Sequence, residues 1–224
     1  NNLVDLGYKV TVVDTQWFGN YLIPKKNLKI VKLDIRDHDK IPLKEVDTVV
    51  HLANIANDPS VELNSKLSWE VNVLATQKLI ENSVKNKVKQ FIFASSGSVY
   101  GVKEEKEVTE DLSLVPISTY NKTKMISERI LKNYENDIKF HCIRPATVCG
   151  FSPRMRLDVS VNMFAFQAIK FKSMSVFGGE QIRPNIHIQD LINVYKHFII
   201  NTDLPGGFYN AGFENLKIIE IAHK

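Results

Sequence analysis

At 224 residues, 44% hydrophobic and 24% charged, with a formal net charge of +4, the chain can bury one sizeable core and shows no disordered or collagen-like bias. No apolar run approaches the roughly 18 residues a transmembrane helix requires, so no membrane partner is expected. The positive charge sits on scattered lysines, which reads as solvated faces and excludes a nucleic-acid footprint.

Residues 1–6 read as the tail of a helix stopped by Gly7, an opening from which we expect a strand and its following loop ahead of residue 1. Residues 8–14 alternate and end in Asp14, a β-branched strand with a carboxylate at its tip. Dinucleotide folds place an acid there to meet the adenosine ribose hydroxyls; a plain loop acid is the alternative. The next strand, 28–33, also runs into an acid, Asp34, and with Ile35 that end is shaped to bracket an adenine ring. A third strand covers 48–53, where Leu52 and Ala53 precede small residues that let a ligand approach the backbone. His51 on that strand has no carboxylate or nucleophile at a telling spacing and reads as a packed residue.

Residues 61–86 are helical in pattern, with Trp69, Val73, Leu74, Gln77 and Ile80 on one stripe. Asn72 in mid-helix is unfavourable by propensity and points to a buried polar job. A strand at 88–94 then opens into Ser95-Ser96-Gly97-Ser98-Val99-Tyr100-Gly101, as a buried parallel strand with a functional loop at its carboxyl end does. Ser118 is an N-cap candidate for a helix reaching Tyr134. Within it Tyr120 and Lys124 lie one turn apart on one face, the arrangement for a tyrosine tuned by an ammonium neighbour. Tyr21 and Lys25 repeat the spacing, but Pro24 places them in a loop with no shared face. Cys142 and Cys149, on or beside the strand at 141–147, read as core thiols in a reducing, cytoplasmic setting. Too few ligands accompany them for a metal, so none is expected. The alternation of strands and helices implies a parallel, doubly wound sheet.

Together with Arg144-Pro145-Ala146-Thr147-Val148-Cys149-Gly150, Val176-Phe177-Gly178-Gly179, Arg183 and His187-Ile188-Gln189-Asp190, these motifs resemble the extended short-chain dehydrogenase/reductase family. The similarity is to its nucleotide-sugar epimerase/dehydratase branch and covers essentially the whole chain. It implies a Rossmann-like α/β fold with NAD as cofactor, a nucleotide-sugar substrate and a homodimer formed through the 61–86 and 118–134 helices. Residues 1–150 would be the NAD-binding domain, its first strand and Gly-rich loop missing. Residues 151–224 would be an incomplete C-terminal substrate-binding part, interleaved with the last sheet strands. The resemblance assigns catalysis to Ser96, Tyr120 and Lys124, with Lys124 and the nicotinamide ring acidifying the Tyr120 phenol. It assigns cofactor contacts to Asp14, Asp34, Ile35, Leu52, Ala53, Asn72, Ser95, Tyr120, Lys124 and Pro145. Ser98, Thr147 and Arg183 fall to the substrate, and Arg156 joins them by position and charge. Thr147 stands where many members have Asn. The expected reaction is epimerisation or a related C4 oxidoreduction through a transient 4-keto sugar. The alternatives are a 4,6-dehydratase, which resembles this chain but carries an acid where Gly97 and Ser98 stand, and a catalytically silent member or fragment.

Overall fold

The computed structural model describes residues 1–224. Helix α1 (Asn2–Asp5) leads through Gly7 into the parallel strands β1 (Val10–Asp14) and β2 (Leu28–Lys32), Asp14 opposite Lys32. After β3 (Thr48–His51), the helix expected over 61–86 is broken into α2 (Asp58–Leu63), α3 (Ser65–Trp69), a π-helical segment (Glu70–Leu74) and α4 (Ala75–Lys85). The break has a local cause. Asn64 adopts φ −154°, and its side chain accepts from Leu67 N at 2.9 Å, capping a new helix where the first stops.

Strand β4 (Gln90–Ala94) follows, then a 3-10 turn (Gly97–Tyr100) and α5 (Thr119–Lys132), whose cap Ser118 accepts from Asn121 N at 3.2 Å. The chain continues through β5 (Lys139–Pro145), β6 (Thr147–Cys149), α6 (Ser160–Phe171) and β7 (Ile182–His187). It closes with α7 (Ile188–Ile200), β8 (Gly207–Ala211), β9 (Glu214–Lys217) and α8 (Ile218–His223). No helix is long and apolar enough to cross a membrane.

The parallel sheet expected from the alternation is present in two separately hydrogen-bonded parts, β1-β2 and β3-β4-β5-β8. A third sheet, β6-β7-β9, is parallel between β6 and β7 and antiparallel between β7 and β9. Strand alternation sorts the core. Phe91 and Phe93 of β4 pack with Leu79, Ile80, Leu131, Phe140 and Cys142, under α4 and α5. Ile92 points to the other face, where it meets Ile143, Leu191, Phe198 and Ile199 under α7. With helices on both faces and every strand of the four-stranded sheet parallel, the strand carboxyl ends share one edge, and the functional side chains gather there.

Candidate active site

At the end of β4, alternation sends neighbouring serines in opposite directions. Ser95 is buried, and its hydroxyl donates to Glu128 Oε1. Ser96 faces the open side, where its hydroxyl caps the 3-10 turn by accepting from Ser98 N at 3.2 Å and lies 2.7 Å from the Ser98 hydroxyl. Ser98 in turn donates to Asn121 Oδ1 on α5. The turn ends at Gly101, with φ +74° and a position where a Cβ would fall 2.1 Å from Val115 O, so only glycine fits.

Tyr120, Lys124 and Glu128 recur at four-residue spacing along one face of α5. Lys124 is buried, donates from Nζ to Ala94 O at 2.6 Å and lies 4.8 Å from the Phe93 ring centre. Burial pushes its ammonium down to about 8, against the opposing pull of Cys142 and Glu128. The Tyr120 phenol is pushed up to about 12, chiefly by burial; the Arg156 charge pulls it down, Asp58 raises it, and the nearby Ser96 hydroxyl lowers it slightly. The Lys124 ammonium lies 5.9 Å from the Tyr120 ring centre, with one of its three donors used on the Ala94 carbonyl.

Around this pair the strand ends differ. Asp14 is exposed at the tip of β1, with Oδ1 accepting from Gln16 N. Asp34 is forked by Arg36, whose Nε and Nη2 donate at 3.1 and 2.8 Å and whose hydrogen bonds hold the carboxyl below its usual range. Ile35 is buried among Ile55, Val61, Val71 and Ala75, with Ala53 and Tyr120 packed against the same cluster, and Leu52 stands exposed at the end of β3. Pro145 closes β5 opposite Ala211, and its carbonyl lies 3.3 Å from where a Gly97 Cβ would be. His51 is the packed residue expected: it meets Thr76 Oγ1 at 2.8 Å, and burial, then the Lys124 charge, push its pKa down to about 3.

Two expected cofactor contacts are turned inward. Asn72 accepts from Ile55 N at 2.8 Å and donates to Ile55 O and Thr123 Oγ1 at 3.1 and 3.3 Å, so both its donors are used inside the protein. Its position on the π-helical segment, 2% exposed, makes it a brace between the 53–57 loop and α5. The Ser95 hydroxyl likewise points inward, to Glu128. On the substrate side, Arg156 forks onto Asp158 at 2.9 and 2.6 Å, and Asn57 Nδ2 reaches Asp158 Oδ2 at 3.4 Å, which brings the 151–158 segment over the Tyr120 end of α5. Thr147 is half-buried on β6 opposite Asn185. Arg183 is exposed on β7 and donates to Gln181 Oε1 at 3.1 Å.

The family model for "NAD dependent epimerase/dehydratase family" matches residues 1–212. The chain belongs to that family. Among curated relatives of this epimerase/dehydratase chain is an "Uncharacterized UDP-glucose epimerase YtcB" of Bacillus subtilis, 32% identical over 206 residues, 89% of this chain and 64% of the relative. A "Putative UDP-glucose 4-epimerase" of Methanocaldococcus jannaschii is 29% identical, over 90% of this chain and 70% of its own length. The chain thus spans less than two thirds of the Bacillus protein. A solved structure of MoeE5 in complex with UDP-glucuronic acid and NAD superposes with a TM-score of 0.81 at 25% identity, covering 98% of this chain and 74% of that one. The Thermus thermophilus UDP-glucose 4-epimerase complex with NAD shares the fold, with a TM-score of 0.83 at 23% identity over 99% of this chain and 76% of that one.

Reasoning from the sequence missed Asn121, Asn57, Asp58 and the Glu128–Arg144 pair. Only Glu128 left a trace in the pattern, as the third member of the Tyr120 and Lys124 spacing. The others meet the site through tertiary contacts between residues far apart in the chain.

Proposed function

We propose that this chain carries the catalytic part of an NAD-dependent nucleotide-sugar epimerase, or related C4 oxidoreductase, working through a transient 4-keto sugar. The observation that carries the reading is the Tyr120 and Lys124 face of α5 docked by the Lys124 bond to Ala94 O against the Ser96 end of β4, with no acid at Gly97 or Ser98. The residues suit NAD. Asp14 offers a free carboxylate oxygen at a strand tip, exposed Leu52 offers an apolar surface at another, and Lys124 offers an ammonium at the edge of the site. NAD, when bound, would supply the hydride acceptor and donor for the sugar carbon. The protein's own work is position and proton management.

Ser96 orients the sugar hydroxyl, and Tyr120 takes its proton. A phenol as weak in acidity as this one holds its proton until charge acts on it, and Arg156 and Ser96 are the groups of this chain that lower it. In the return step the re-forming alkoxide takes that proton back from the Tyr120 phenol. Arg156 and Arg183 supply forks for diphosphate oxygens, and Thr147 and Ser98 supply hydroxyls for the sugar. Asp14 selects NAD over NADP, because a ribose hydroxyl donates to it and a 2′-phosphate is repelled; tighter NADP binding by calorimetry removes that role. A homodimer through the α4 and α5 region belongs to the same reading and is checked by sedimentation.

Dehydration would require an acid near C6 besides the tyrosine. Ser98 is too weak an acid for that, and Glu104, Glu105 and Glu107 are exposed. Incubating the full-length protein with NAD and a panel of UDP-, GDP- and dTDP-hexoses tests the reading by mass. A new stereoisomer of unchanged mass is expected, and loss of two hydrogens marks the oxidoreductase form. A product lighter by one water overturns it.

A further inference from the structure

Residues 95–100 carry both hydroxyls of the β4 edge, Ser96 and Ser98, and one buried ion pair holds this segment at both ends. At its start the Ser95 hydroxyl donates to Glu128 Oε1, while Ser95 N donates to Ile143 O at 2.8 Å. At its end the Tyr100 hydroxyl accepts from Arg144 Nη1 at 2.7 Å and donates to Asn210 Oδ1 at 2.8 Å. Between the two ends, Arg144 Nε and Nη2 fork onto Glu128 at 3.1 and 2.8 Å. The pair is almost wholly out of solvent, at 4% and 1% exposure, and the guanidinium lies 4.9 and 4.8 Å from the ring centres of Tyr100 and Phe208. Arg144 Nη1 also reaches Glu110 O at 3.1 Å, which ties down the loop beyond the turn.

A buried ion pair is a poor device for stability alone, because desolvating both charges cancels much of their attraction. A bidentate fork is, however, a good device for holding separate elements at one distance. The elements held here are the 3-10 turn with its serines and α5, on which Glu128 shares a face with Tyr120 and Lys124. We propose that Glu128 and Arg144 are positioning residues that set the separation of the Ser96 hydroxyl from the Tyr120 phenol by clamping both ends of the 95–100 segment to the tyrosine's helix. The proposal rests on the reading of Ser96 and Tyr120 as the pair that meets the sugar hydroxyl. It also gives Ser95 and Tyr100, which touch neither substrate nor cofactor in that reading, a share in catalysis.

Ser95→Ala frees the start of the segment and Tyr100→Phe frees its end, each leaving the ion pair in place. In the full-length protein each is expected to lower kcat about tenfold with KM for the nucleotide sugar within about twofold, since misalignment of positioned groups costs rate more than binding. Hydrogen exchange read by mass spectrometry is expected to quicken in residues 96–101 and stay unchanged along α5. Unaltered kcat in both variants, or kcat and KM moving together with the thermal midpoint, overturns the proposal. If the unmutated protein turns over none of the sugars offered, the functional reading fails and the exchange data decide the clamp alone. Faster exchange confined to 96–101 then upholds it, and unchanged exchange there removes it.

Discussion

The β4–α5 and β6–β7 regions hold their charges in opposite ways. On the β4–α5 side, Lys124, Glu128 and Arg144 are all buried, and each has directed partners at hydrogen-bond distance. On the β6–β7 side, Arg156 and Asp158 pair at 39% and 51% side-chain exposure, and Arg183 is exposed with one neutral partner. The first arrangement fixes geometry out of water, and the second leaves its charges where solvent screens them. That division suits a reacting centre set beside a binding surface.

The contrast is broken most directly at the ion pairs. Glu128→Ala leaves Arg144 buried without its partner and should cost about 3–5 kcal/mol in urea unfolding, whereas Asp158→Ala should cost no more than about 1 kcal/mol. Equal losses would erase the distinction between the two sides. Next in size, Tyr120→Phe should lower turnover by about a hundredfold or more with the unfolding midpoint little changed. Wild-type turnover in that variant removes the base from the rigid side.

A pH series sharpens the contrast further, through His51. Its folded pKa of about 3 lies below the ordinary value of 6.5, so the unfolded chain binds a proton that the native state refuses. The His51 contribution to stability is therefore fully present above pH 6.5 and is lost as pH falls toward 3. Between pH 7 and pH 5 the stability difference between the protein and a His51→Gln variant should shrink by about 2 kcal/mol; a constant difference means that His51 is not held neutral. The smallest effect belongs to the exposed side. Arg183→Gln should change stability by less than about 0.5 kcal/mol, while raising KM for the nucleotide sugar several-fold if the guanidinium meets the diphosphate. An unchanged KM leaves Arg183 as surface charge.

Much of this was legible along the chain, for reasons that differ by residue. The Tyr120 and Lys124 spacing is local to one helix, and Ser118 announces that helix by its capping chemistry. The apolar run of β4 ending in serines is equally local. Asn72 was legible as a buried polar group but not in its job, because its partners are Ile55 and Thr123, set by how α5 packs on the π-helical segment. Ser95 and Ser96 look alike in sequence, and the burial of one beside Glu128 separates them. The break at Asn64 was hidden because a continuous apolar stripe reads the same through a cap as through a helix.

The sequence by itself determined the order of strands and helices, the acid-tipped and serine-tipped strand ends and the shared face of Tyr120 and Lys124, since each follows from backbone periodicity and short-range side-chain chemistry. Only the tertiary structure decided which charges are buried, that Lys124 serves the Ala94 carbonyl, that Arg156 pairs with Asp158, and that Glu128 and Arg144 join the serine turn to α5. Desolvation and directed hydrogen bonds depend on neighbours far away in the chain, and their strength is set when the elements pack.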